Sequence, residues 1–281
     1  MLSAGEKEGF EMDTAQMTSQ TGLKGNGITG STLKIIAIFA MFIDHIGATI
    51  LERLLMRSGY AIAQAIPGGM DRWMSDASNA ILIIGYYILR LIGRFGFPVF
   101  CFLLVEGFMH TRSRAKYALR LFLFCLISEV PFDLATVGKY YNPDYQNVFF
   151  TLLLGFLAMW AFDYIEKRIC AERTLKQLLP CIAALAVFMV LAEVLETDYA
   201  AFGVLTIGIM YFHRHDKFKS MLWGCITLTI MNPMEATAFL MLLPVSKYNG
   251  KRGLSLKYFF YAFYPVHLGL LYLICKWMGL A

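Results

Sequence analysis

Residues 33–52 read LKIIAIFAMFIDHIGATILE. Twenty mostly apolar residues are enough for a helix to cross a bilayer, whose hydrocarbon core needs about 20. Asp44 and His45 nevertheless lie inside it. An ionisable side chain at that depth costs several kcal/mol unless it faces protein, water or a partner. The stretch therefore reads as a transmembrane helix that carries a site. The plainer alternative is a histidine that only hydrogen-bonds a neighbouring helix.

Composition extends the reading to the whole chain. Of 281 residues, 58% are hydrophobic and only 16% charged, against about 25% charged in soluble domains; mean hydropathy is +0.57. This predicts an all-α, polytopic integral membrane bundle, because helices satisfy their own backbone hydrogen bonds in lipid. Nine apolar spans can be drawn, at 33–52, 78–110, 117–134, 147–165, 175–194, 200–213, 219–231, 236–246 and 257–276. The second is interrupted by Pro98, and the sixth to eighth are short for a full crossing. Nine is thus an approximate count. Residues 1–30 are polar and aperiodic and read as a disordered cytoplasmic tail; 31–281 read as one multi-pass domain. Residues 53–77, with Pro67-Gly68-Gly69 and MDRWMSDAS, read either as a short interfacial helix with Trp73 at headgroup level or as a loop over an external opening.

Charge alternates along the loops. Basic residues gather at 111–120 (Arg112, Arg114, Lys116, Arg120), 166–176 (Lys167, Arg168, Arg173, Lys176), 214–219 and 247–257. The turns between them are poor in bases: 135–146 has only Lys139, and 193–199 has none. The excess of Lys and Arg on cytoplasmic loops then puts the N-terminus inside and the C-terminus outside the cell membrane. Bases confined to short loops between apolar spans give no sign of a nucleic-acid partner. The six cysteines lack metal-type spacing, so neither a disulfide nor a metal site is expected.

The polar residues inside the spans share a level. At about 1.5 Å per residue, His45 lies roughly 16 Å from Lys34, Glu129 roughly 18 Å from Tyr117, and His267 roughly 15 Å from Lys257. Eleven residues are close to three turns, so Lys34 and His45 share a helix face. Asp44 points about 100° away from His45 and is expected to meet another polar residue or to act through water. Arg90 and Arg94, at i and i+4, project together. They are expected to hold an anionic group or to pair with Glu129 or Asp133. Glu106 near a span end has two readings, a substrate contact or a salt bridge to a basic loop residue. The aromatic runs FFYAFYPVH and NVFFT read as lipid-facing or packing surface.

The motifs IDHIG, GRFGFPVFCFLLVEGFMHTRS, YALRLFLFCLISEVPFDL, QNVFFTLLLG and FYPVHLGLLYLI, in this order from Leu33 to Lys276, resemble the TraX family of membrane proteins. That family is named for a conjugation protein that acetylates the N-terminus of pilin. It is distantly similar to the acyltransferase-3 and heparan acetyltransferase group. There an essential histidine sits on the first span with an arginine eleven residues earlier; the matching positions are His45 and Lys34. The Arg-x-x-Arg of that group is met only in part, by Tyr117 and Arg120.

The resemblance implies an enzyme that moves an acetyl or other short acyl group from cytoplasmic acyl-CoA to an amine or hydroxyl. His45, Asp44 and Glu129 would serve catalysis. Arg90, Arg94, Glu106, Asp133, Asn147 and His267 would bind the acceptor, and Lys34, Arg112, Arg114, Lys116 and Arg120 the donor. The acceptor itself is not specified. Two other classes fit the same residues, a transporter or lipid-binding protein and an assembly scaffold whose intramembrane charges are structural pairs.

Overall fold

A computed structural model describes residues 27–168, 175–255 and 257–280, and within them the secondary structure is helical apart from two isolated β-bridges. Most of the expected tail, the base Arg173 and Cys170 lie outside these residues.

Helix α1 spans Gly30–Ile46 and runs through a π-helical turn, Gly47–Leu51, into α2, Glu52–Arg57. Thr29 caps α1 by accepting the Thr32 N–H at 3.3 Å, which satisfies one of the first-turn amides left without an intrahelical acceptor. Residues 28–31 are also tied to the distant 247–252 loop. Ile28, Gly30 and Ser31 donate backbone N–H groups to Lys247, Lys251 and Arg252, each at 2.9 Å. The start of α1 and this basic loop thus lie at one end of the bundle.

Two short helices follow, α3 (Tyr60–Ala65) and α4 (Gly69–Met74), and then α5 (Ala77–Gly93) and α6 (Gly96–His110). The segment read as a short interfacial helix or a loop over an opening contains these two short helices and packs on itself. Trp73 donates its indole N–H to the Ser58 carbonyl at 2.9 Å and is buried with Leu55, Ala63 and Ile83 in a small second core. The break in the second span falls at Arg94–Phe95, earlier than Pro98. Pro98 sits inside the first turn of α6, where a missing N–H removes no helical bond.

The remaining helices are α7 (Arg114–Thr136), α8 (Val148–Arg168), α9 (Leu175–Val194), α10 (Ala200–Phe212), α11 (Lys217–Met231), a 3₁₀ stretch Pro233–Met241 leading into α12 (Leu242–Ser246), and α13 (Lys257–Trp277). Ten of the fifteen residues of α6 are buried. A helix apolar on all sides belongs at the centre of a bundle, and α6 packs against α1, α8, α10 and α11. Helix α13 packs across α7 and α1. The turns 146–147 and 196–199 meet at the end opposite the basic loop: Gln146 N–H donates to Glu196 O, and Asp198 N–H to Gln146 O, both at 2.9 Å.

Among the described residues four helical stretches are long and apolar enough to cross a membrane: Gly30–Arg57, Ala77–His110, Val148–Arg168 and Phe259–Trp277. Leu178–Val194, Ala200–Phe212 and Pro233–Ser246 are apolar but shorter. Helix α7 has the length, at 23 residues, but carries Arg114, Lys116, Arg120, Glu129 and Asp133. The chain is a multi-pass membrane protein, with each drawn span matched by helix, while nine full crossings is more than the helices establish. Cys101, Cys125, Cys181, Cys225 and Cys275 are free and buried.

Candidate functional site

The π-helical turn begins two residues after His45, and the Thr49 hydroxyl donates back to the His45 carbonyl at 2.5 Å. A π turn widens the helix locally and is common at functional sites. The His45 ring meets His267 of α13, with Nδ1 and Nε2 2.6 Å apart. The rings are nearly parallel, at 17° and 4.8 Å between centroids. On its other side His267 Nδ1 lies 2.7 Å from the Phe263 carbonyl oxygen, and the Phe263 ring stacks on it at 4.8 Å. His267 is only 3% exposed, so α13 holds it firmly.

Asp44, next in the chain, looks the other way. Its Oδ2 accepts from Arg90 at 2.7 Å and its Oδ1 from Arg94 at 2.8 Å. Arg94 also donates to Glu235 of the 3₁₀ stretch at 2.8 Å. Two cations and two anions balance, as partly buried charges must. Gly93 makes the approach possible, since a Cβ there would stand 2.1 Å from Asp44 Oδ1. The expected pairing of the arginines with Glu129 or Asp133 is thus corrected: their partners are Asp44 and Glu235. Asp44 is bound to guanidinium groups and fixes α1 against α5 behind the histidine.

A cavity of about 580 Å³ opens between α1, α6, α7 and α13. Lys34, Arg112, Arg120 and Arg252 stand on its wall, and its lining includes no carboxylate. The Arg120 Nε is enclosed without a hydrogen-bond partner, while its guanidinium lies 5.3 Å from the Tyr117 ring. A smaller pocket, lined by Asp44, His45, Asp198 and Tyr199, shares Met41, Phe97, Phe100, Val148 and Tyr264 with the large cavity. These five side chains, the neck, line both the cationic chamber and the pocket of His45.

The pocket floor is unusual in its backbone. Glu196, Tyr199 and Ala200 all have positive φ, at 51°, 63° and 40°, a region costly for residues with a Cβ. Tyr199 is held there by stacking on Phe97 at 3.7 Å. Asp198 accepts from the Tyr145 hydroxyl at 2.8 Å.

Of the expected site residues, His45, Asp44, Lys34, Arg112 and Arg120 line these spaces, and His267 touches His45. The others are placed elsewhere. Glu129 accepts a short hydrogen bond from Asn147 Nδ2, and Asn147 Oδ1 accepts the Phe149 N–H at 3.0 Å, so this pair caps the start of α8. Asp133 accepts the Asn142 N–H at 2.8 Å and holds the loop after α7. Glu106 lies beside Tyr248 and does not line the cavity. Arg114 is paired with Asp163 and lies over Phe108 at 4.3 Å. Lys116 is exposed, and neither lines the cavity.

Sequence reasoning missed Arg252, Tyr261, Tyr264, Asp198, Tyr199 and Glu235. The two tyrosines lie in the aromatic run of α13, which thereby forms cavity wall as well as packing surface. Glu235 was detectable, since an acid beside an apolar segment invites a partner.

The profile of the family described as "TraX protein" matches residues 29–275. A probable fimbrial assembly protein FimC, serogroup H1, from Dichelobacter nodosus is similar to this chain. It is 28% identical over 265 residues, which is 85% of this chain and 92% of that protein. No solved structure matches.

Proposed function

We propose, since the chain belongs to the TraX family and its cationic cavity narrows onto His45, that it is a membrane acyltransferase drawing on an acyl-CoA. The observation that carries this reading is the chamber with Lys34, Arg112, Arg120 and Arg252 on its wall and no carboxylate among its described lining residues, which shares Met41, Phe97, Phe100, Val148 and Tyr264 with the pocket of His45. The CoA phosphates and their negative charge suit the four cations. The pantetheine arm, long and weakly polar, suits the neck. The thioester carbonyl then comes to lie beside the imidazole.

The acceptor N–H or O–H gives its proton to His45 as its nitrogen or oxygen attacks the thioester carbonyl. A C–N or C–O bond forms, the C–S bond breaks, and the departing CoA sulfur takes up a proton. A histidine suits this work because its ordinary pKa lies near neutrality. The relative's description as a fimbrial assembly protein, together with the pilin acetylation for which the family is named, points to the N-terminus of a fibre-forming subunit as the acceptor.

Acetyl-CoA binding by the purified protein in detergent, followed by mass-spectrometric detection of acetyl transfer to a peptide from a co-encoded fibre subunit, tests the reading. Saturable binding and mass addition at the peptide amine are expected. No binding up to millimolar acetyl-CoA overturns it and leaves a transporter or an assembly scaffold.

A further inference from the structure

We infer that His267 is a positioning residue that dictates which nitrogen of His45 is free to take a proton. The consequence for catalysis rests on the acyl-transfer reading, while the tautomer itself rests on geometry alone.

A carbonyl oxygen only accepts hydrogen bonds, so at 2.7 Å from Phe263 O the His267 Nδ1 carries a proton. A bare Nδ1 there would set one lone pair against another. In a neutral ring the other nitrogen is then an acceptor. His267 Nε2 therefore offers a lone pair to His45 Nδ1, 2.6 Å away, and His45 Nδ1 must be the donor. A neutral His45 with its proton on Nδ1 has its lone pair on Nε2.

Among the described residues Nε2 of His45 has no hydrogen-bond partner, and it is not one of the fully enclosed unpartnered polar atoms. The ring lines the pocket at the neck of the cavity. One backbone carbonyl thus fixes the state of a basic nitrogen two rings away.

The usual agent for this task is a carboxylate hydrogen-bonded to the imidazole. Here the neighbouring carboxylate is engaged elsewhere: Asp44 is bound to Arg90 and Arg94. The other titratable groups facing His45 are Tyr264, at 5.8 Å between rings, and Asp198 and Tyr199 across the pocket. Among the described residues only His267 bonds the ring. When His45 takes a proton, it keeps its bond to His267 and becomes a two-sided donor. A protonated His267 would donate to His45 instead and turn the proton of His45 towards the pocket, which removes the base.

Two substitutions separate this role from packing. His267→Gln can place an amide oxygen near the position of Nε2 and accept from His45. His267→Phe fills the space and offers no acceptor. The full chain with ¹⁵N-labelled histidines, in detergent micelles, is read by NMR at neutral pH, with the His45 signals identified by their absence from His45→Asn. The expected result is a bare Nε2 and a protonated Nδ1 at His45 in the native protein and in His267→Gln, and the opposite or a mixture in His267→Phe.

In the transfer assay His267→Gln, which keeps an acceptor for His45, should retain clearly more turnover than His267→Phe. His267→Phe should lose about 10- to 100-fold in kcat, the usual cost of removing the group that orients a functional histidine, with acetyl-CoA affinity little changed. A proton on Nε2 of His45 in the native protein overturns the inference. So does equal loss of turnover in the Gln and Phe variants. Should His267→Phe fail to purify, the native and Gln spectra still decide. Absence of transfer by the native protein overturns the proposed function and leaves the NMR result to judge this inference alone.

Discussion

Gly93→Ala is a one-carbon change whose effect can be worked out from the ion cluster behind His45. The added Cβ would stand 2.1 Å from Asp44 Oδ1, 2.3 Å from its Cβ and 2.4 Å from its Cγ. Carbon and oxygen atoms do not approach so closely, so either α1 and α5 part by about an ångström or the carboxylate swings away. Forced overpacking of this kind costs about 1–3 kcal/mol. If the carboxylate leaves, the bonds to Arg90 and Arg94 at 2.7 and 2.8 Å are lost, and breaking a buried pair costs about 3–5 kcal/mol. The arginines are only 23% and 12% exposed, so water compensates poorly. The assay is thermal unfolding in detergent, read for Gly93→Ala, Asp44→Ala and the double variant. Asp44→Ala removes the carboxylate but leaves its Cβ 2.3 Å from the added carbon, so the double variant should be less stable than Asp44→Ala, yet by less than Gly93→Ala costs in the native background, a departure from additivity. Native stability of Gly93→Ala, or additive losses in the cycle, would refute the packing described for this cluster.

Three further outcomes are expected. Arg120→Ala and Lys34→Ala should each weaken acetyl-CoA binding in a direct titration, whereas Arg114→Ala, whose partner is Asp163, should leave affinity unchanged and lower the melting point. Asn147→Ala should cost roughly 0.5–2 kcal/mol as a lost helix cap, while Glu129→Gln, which keeps an acceptor for Asn147, should cost less; comparative unfolding checks both. Reporter fusions at Arg114 and Lys251 should fall on the cytoplasmic side and one at Asp144 on the other, and an inside signal at all three would break the topology.

The sequence makes some of this site legible and hides the rest for definite reasons. The shared level of His45 and His267 follows from counting 1.5 Å per residue inward from basic span ends, and Asp44 turns from His45 as a step of about 100° requires. Lys34 shares the His45 face for the same reason. What a single chain does not display is which helix lies next to which. Arg90 and Arg94 were recognisable as a pair, but their partner Asp44 lies about 50 positions earlier and Glu235 more than 140 later. Glu129 was placed by count at the level of His45, yet the local needs of the α8 start engage it with Asn147. Arg252 looked like an ordinary topology charge because nothing local reveals that the 247–252 loop folds back on the start of α1. The positive-φ turn at Glu196–Ala200 carries neither glycine nor proline to announce itself.

The central claim is that His45 takes the acceptor's proton and does not merely hold α1 to α13. His45→Asn removes the titrating nitrogen while keeping a polar side chain of similar reach to Nδ1. Acetyl-CoA affinity and acetyl transfer, measured side by side on one preparation of this variant and of the native protein, test the claim most directly. The account predicts normal yield, near-native affinity and a loss of at least about 100-fold in transfer, the lower end of what a general base supplies. Near-native transfer by His45→Asn would contradict it.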